Sequence, residues 1–88
     1  MTPEQVVAAC EKYREAIQSR GYTAERAATD KKGPPRSAVY PHLVWMCEQT
    51  KVAASENMEK ACRWLGFIQG VLWSQGIYSI DEMRDDNR

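Results

Sequence analysis

The segment DKKGPPRSAVYPH, residues 30–42, holds the side chains of this sequence best suited to polar recognition. Lys31, Lys32 and Arg36 could hold a phosphate by charge, and Tyr40 offers a ring on which a base could stack. Between them the Gly-Pro-Pro core stiffens the backbone and keeps it out of a helix. The same residues also describe a plain solvated loop, and both readings stand at this level.

Catalytic chemistry has no comparable carrier. His42 is the only histidine and has no cysteine or aspartate at a fixed ligand spacing, so it reads as a surface or capping residue. Cys10, Cys47 and Cys62 are an odd set without a CxxC pair; each falls in an apolar helical pattern and reads as a small buried hydrophobe. No G-x-S-x-G, HExxH, P-loop or GxGxxG is present. Asp85 and Asp86 read as a solvated helix end. The expectation is a binding protein and no enzyme, with no catalytic residue, metal site or cofactor.

Composition narrows the partners. The chain has 88 residues, of which 43% are hydrophobic, and its 12 basic residues balance its 12 acidic ones. That describes one folded domain, near the size at which a single core is marginal and a partner chain adds useful burial. With no net charge there is no general attraction to polyanions, so double-stranded DNA and anionic membranes are not expected partners. Locally the charge is uneven. Arg20, Arg26, Lys31, Lys32 and Arg36 make one segment basic, and Asp81, Glu82, Asp85 and Asp86 outweigh Arg84 and Arg88 in an acidic tail. No apolar run is long enough to span a bilayer and no secretion signal is evident, so the cytoplasm is the expected location.

The elements that must position these groups are helical. Thr2 can cap a helix with Pro3 in its first turn; Val6, Cys10, Tyr13 and Ile17 then form one stripe, and Gly21 is placed to stop it. This gives a helix over about residues 3–20, followed by a polar basic loop over about 21–40 with room for a helical turn at TAERAAT. Pro41 starts a second helix, about 41–54; a third runs over about 56–75, unless residues 41–75 are continuous. Ser79 and Glu82 spell a capping box for a short helix at about 80–86. The fold expected is all-α, a small bundle of three main helices plus a short C-terminal one.

Within the third helix, RWLGFIQGVLW has two sides. Met58, Ala61, Trp64, Leu65, Ile68, Val71 and Leu72 share a broad apolar arc, the core side. Opposite lie Glu59, Cys62, Arg63, Gly66, Gln69, Gly70, Trp73 and Ser74, a face made of small residues. Glycine in a helix costs about 1 kcal/mol against alanine, so the two glycines suggest that something approaches this backbone closely: helix 1 or 2, a second chain, or a ligand. Arg63, Gly66, Gln69, Gly70 and Trp73, together with Trp45, are the candidate protein-interface residues, the tryptophans as anchors.

From Glu59 to Arg88 the sequence resembles small proteins of tailed bacteriophages and prophages, which end in a similar R-W-L-G-F-x-Q-G-x-L-W followed by an I-D-E-M or I-D-E-L helix. The likeness covers the last third of the chain and, faintly, HLVWMCE at 42–48; it assigns no site residue. It implies a phage accessory protein made inside a bacterial cell. The reading that follows is a non-enzymatic inhibitor that binds and blocks a host or defence-system protein, the acidic tail assisting by steering. Two alternatives stand beside it: an oligomeric sponge for a nucleotide-type immune signal, held by Lys31, Lys32, Arg36 and Tyr40, and a structural or regulatory accessory dimer. A host protein, a second copy of the chain and a nucleotide are thus the candidate partners.

Overall fold

In the computed structural model, which describes residues 1–87, the first helix starts as its sequence dictates. Thr2 Oγ1 accepts from the Gln5 amide at 3.2 Å and Gln5 Oε1 accepts from the Thr2 amide at 2.7 Å, a reciprocal cap. Helix α1 spans Pro3–Gln18 and buries Val6, Ala9, Cys10, Tyr13 and Ile17. It ends in a turn through Gly21, whose φ of 93° is left-handed backbone that glycine adopts without strain. The TAERAAT segment forms no helix; the backbone from Tyr22 to Ala28 is irregular.

Helix α2 spans Arg36–Glu56 and so begins five residues ahead of the proline expected to start it. Pro35, in extended conformation, is the N-cap: its carbonyl accepts from the amides of Ala38 and Val39 at 2.9 and 3.1 Å. Pro41 lies inside the helix, where it supplies no amide hydrogen for the Ser37 carbonyl. A proline preference for the first turn fitted either proline. The earlier start has a consequence for Tyr40, which becomes helical and buried.

Asn57 separates α2 from α3, Met58–Ser74. Its amide donates to the Ala53 carbonyl at 2.7 Å, closing α2, and its Oδ1 accepts from the Lys60 amide at 3.1 Å, opening α3. The two helices are therefore distinct, and α3 folds back on α2 while α1 packs chiefly against α2. Helix α4, Ile80–Asp86, opens with the Ser79–Glu82 capping box. The fold is all-α, three main helices and a short fourth. No helix among the described residues is long and apolar enough to cross a membrane.

The core is apolar, with Leu43, Val44, Cys47, Ala61, Leu65, Ile68 and Leu72 from α2 and α3 meeting the α1 stripe. One polar network crosses its edge and fixes α4. The Tyr13 hydroxyl donates to Asp86 Oδ2 at 2.7 Å and accepts from Gln69 Nε2 at 3.0 Å. Lys12 Nζ pairs with Asp86 Oδ1 at 2.8 Å, and Gln69 Nε2 also donates to Asn87 Oδ1 at 2.8 Å. Burial, and next the bond to the Asp86 carboxylate, hold the Tyr13 phenol protonated well above its ordinary range. Two expectations change here. Gln69, expected on the interface face, is buried and bonded inside the domain. Asp86, expected in a solvated steering tail, is tied to α1; Arg88, counted with that tail, lies outside the described residues.

Tyr13→Phe removes the hydroxyl while keeping the ring. It leaves Asp86 with Lys12 alone and Gln69 with Asn87 alone, and should cost about 2 kcal/mol of unfolding free energy in urea, the range of a hydrogen bond to a charged group.

Candidate functional site

The polar segment between α1 and α2 folds back as a strap over the start of α2. Its ties are specific. The Tyr22 ring packs on Tyr40 at 5.0 Å between centroids, the Glu25 amide donates to the Pro41 carbonyl at 3.1 Å, and the Ala27 amide donates to His42 Nδ1 at 3.1 Å. Arg26 lays its guanidinium over the Trp45 ring, 5.2 Å from the centroid. The strap therefore delivers Arg26 to the aromatic side of α2.

Trp45 is the centre of a ring cluster. His42, one helical turn before it, stacks on it at 5.5 Å with 27° between planes, and Trp64 of α3 meets it at 6.0 Å and 40°. Around these rings lies a cleft of 380 Å³ lined by Arg26, Thr29, His42, Trp45, Arg63 and Phe67 among others. The walls are aromatic and the two charged lining residues are arginines. Arg63 pairs with Glu59 at 3.5 Å, and both side chains are mostly exposed, so this pair is weak and easily exchanged for another anion. Arg26 also lines an adjoining cavity of 410 Å³, with Lys31, Lys32 and the Gly33-Pro34-Pro35 turn. One guanidinium is thus shared by two neighbouring hollows.

His42 takes part as a neutral ring. Burial, and next the Arg26 cation, hold its pKa below the ordinary imidazole value. Because Nδ1 accepts from Ala27, the ring proton sits on Nε2, where it is a donor. This is a positioning role for a residue that spacing alone made a surface or capping group.

The residues singled out by sequence are distributed unevenly. Lys31 and Lys32 reach the second hollow, whereas Arg36, on the first turn of α2, lines neither. Tyr40 is 6% exposed and packed against Tyr22, so it offers no face to a ligand: the helix that starts at Arg36 turns it inward. Trp45 is half-buried in the cleft wall, and Arg63 stands at the cleft as well as on α3's outer face. Gly66, Gly70 and Trp73 are exposed, and a methyl group at either glycine would meet nothing within 4 Å. Neither α1 nor α2 is the close neighbour that these glycines suggested. Cys62, on the same uncovered face, is exposed, unlike the buried Cys10 and Cys47.

Sequence reasoning missed Arg26, Trp64, Phe67 and His42 as one group. The periodicity assigned Trp64 to the core arc, and nothing in the spacing of residues 26 and 45 announces that a loop brings them together. No protein-family model, curated protein or solved structure matches this chain.

The Ala27–His42 bond should be acid-sensitive. With the folded pKa below the unfolded one, the bond's contribution is present above about pH 6.5 and is lost as the pH falls through the folded value. The protection factor of the Ala27 amide should fall over that range while those of Leu65 and Ile68 persist, and the acid step should vanish in His42→Phe.

Proposed function

We propose that this protein binds a phosphorylated planar ring, a nucleotide-type ligand, in the cleft between the strap, α2 and α3, and acts by sequestering it. The observation that carries this reading is the placement of Arg26 over Trp45 beside Arg63, His42 and Trp64 in one 380 Å³ hollow. The exposed Phe67 ring in the cleft wall offers a face to a base, and a guanidinium binds phosphate oxygens in a planar, two-pronged fashion. Arg63 and Arg26 supply the second function, with Lys31 and Lys32 available to a ligand long enough to enter the adjoining hollow. The hollow is within the range that holds small ligands. Nothing in this arrangement requires a bond to be broken; the role is capture.

The resemblance of the C-terminal third to phage accessory proteins supplies the setting, a bacterial cell in which withdrawal of a nucleotide signal blunts a defence response. Blockade of a host or defence-system protein is the second reading. It rests on Phe67 and Trp73, whose side chains stand 55% and 54% exposed along α3. It loses weight from Trp45, expected from the sequence as an anchor beside Trp73, which lies in the cleft wall beneath Arg26.

Calorimetric titration with adenosine and guanosine mono- and diphosphates tests the first reading. A nucleotide should bind, and Arg26→Ala should weaken it by about tenfold or more, as should Arg63→Ala, in keeping with loss of a charged hydrogen-bond pair. Raising salt should weaken binding in the parent chain more than in Arg26→Ala. Affinity that ignores both arginines, or no binding by any of these nucleotides alongside stoichiometric binding to a bacterial protein, would move the assignment to blockade.

A further inference from the structure

Three hollows meet at the strap, and any two of them share walls. The 380 Å³ cleft and the 410 Å³ hollow have Arg26 in common. A third hollow, of 330 Å³, shares His42 and Phe67 with the cleft and Ala27, Pro34 and Ala38 with the 410 Å³ hollow. It is the apolar member of the set: Val39, Leu43 and Val71 complete its wall with Phe67, and no Asp, Glu, Lys or Arg lines it. The strap thus brings two cationic hollows and one apolar hollow together around Arg26 and Ala27.

The cations are available to a ligand. Arg26, Lys31 and Lys32 have no ion-pair partner among the described residues, and Glu25 is the single carboxylate lining the 410 Å³ hollow beside them. Arg63 adds its exposed guanidinium at the cleft. Positive charge at two of three corners calls for anionic groups on two separate arms, whereas a pyrophosphate chain places all its charge on one. The third corner takes a ring. Gln75, in the wall of the apolar hollow, keeps a buried amide oxygen without a hydrogen-bond partner, and an unmade bond of that kind favours an occupant with N–H groups, a base, over a hydrocarbon ring. A ribose that carries a base at C1′ and phosphates at both C3′ and C5′ has these three arms on one small scaffold.

We infer that the ligand of the strap site is a nucleoside phosphorylated at both its 3′ and 5′ positions, with its base in the 330 Å³ hollow against Phe67, one phosphate at Arg26 and Arg63, and the other at Lys31 and Lys32. The inference rests on the nucleotide reading above and narrows it. A nucleotide with phosphate on one arm fills two corners and leaves the lysine hollow to water. The three-armed unit exists free, as a nucleoside bisphosphate, and also inside a single-stranded oligonucleotide, where each internal nucleotide carries phosphate on both sides.

The test is calorimetric titration of the full chain with the 3′,5′-bisphosphates, 5′-monophosphates and 5′-triphosphates of adenosine and guanosine. For at least one base the bisphosphate should bind about tenfold or more tightly than the monophosphate, and also more tightly than the triphosphate, which carries comparable charge on a single arm. Lys31→Ala combined with Lys32→Ala should remove that preference, and the Val71 methyl resonances should move when the bisphosphate binds. A trinucleotide of the preferred base separates the two sources: affinity above that of the bisphosphate assigns the site to a nucleic-acid strand, affinity below it to the free ligand, and either agrees with the three-armed unit. Equal affinity for monophosphate and bisphosphate, or a preference that survives the loss of both lysines, overturns the inference and leaves the nucleotide reading standing. If none of these nucleotides binds, both fall.

Discussion

The Ala27 amide bonded to His42 Nδ1 is the contact on which the rest of the site depends. A loop of irregular backbone cannot satisfy its own amides, and here the strap spends two of them on α2, at the Pro41 carbonyl and at His42. That anchorage fixes the intervening Arg26 above Trp45. Without it the guanidinium would be one more solvated charge, the indole would lie open, and the hollow shared by strap and helices would lose a wall. The imidazole's depressed pKa belongs to the same arrangement: burial and Arg26 keep it neutral, and only the neutral ring accepts the bond.

A second constraint holds the frame. Helix α4 is too short to be stable by itself, and its position comes from Asp86, shared between Lys12 and the Tyr13 hydroxyl, and from Asn87 against Gln69. Tyr13 thereby joins α1, α3 and the C-terminal segment at one oxygen. The network draws Gln69, next to Gly70 on α3, into the domain, while Gly66, Gly70 and Trp73 stay exposed.

Local signals in the sequence were legible where their physics is local. The caps at Thr2 and Ser79 and the left-handed stop at Gly21 depend on neighbours three or four residues away, and the Val6–Ile17 stripe follows helix period. The start of α2 was misplaced because two prolines compete for one role, and Pro35 wins by capping from outside the helix. That error carried Tyr40 from a ligand-facing ring to a buried one. The cleft was legible only in fragments: Lys31 and Lys32 as charge, Trp45 as an aromatic. Its assembly depends on where a structureless strap lies, which no periodicity encodes, and so Arg26 and His42 were not recognised as its working parts. Gln69 was misassigned for a different reason, since its angle on the helical wheel lies near the boundary between faces and a polar core network drew it inward.

The three tryptophans give a direct reading of the central claim, that the strap cleft is a nucleotide-binding site. Trp45 and Trp64 are at the cleft, whereas Trp73 is on the outer face of α3. Indole N–H resonances of the uniformly nitrogen-15-labelled chain, followed during titration with guanosine and adenosine nucleotides and assigned by single Trp→Phe variants, separate the two surfaces. The expected result is saturable movement of the Trp45 and Trp64 signals, with Trp73 unchanged at constant protein concentration. Movement of Trp73 alone, or no movement of Trp45 and Trp64 with any of these nucleotides, would contradict it.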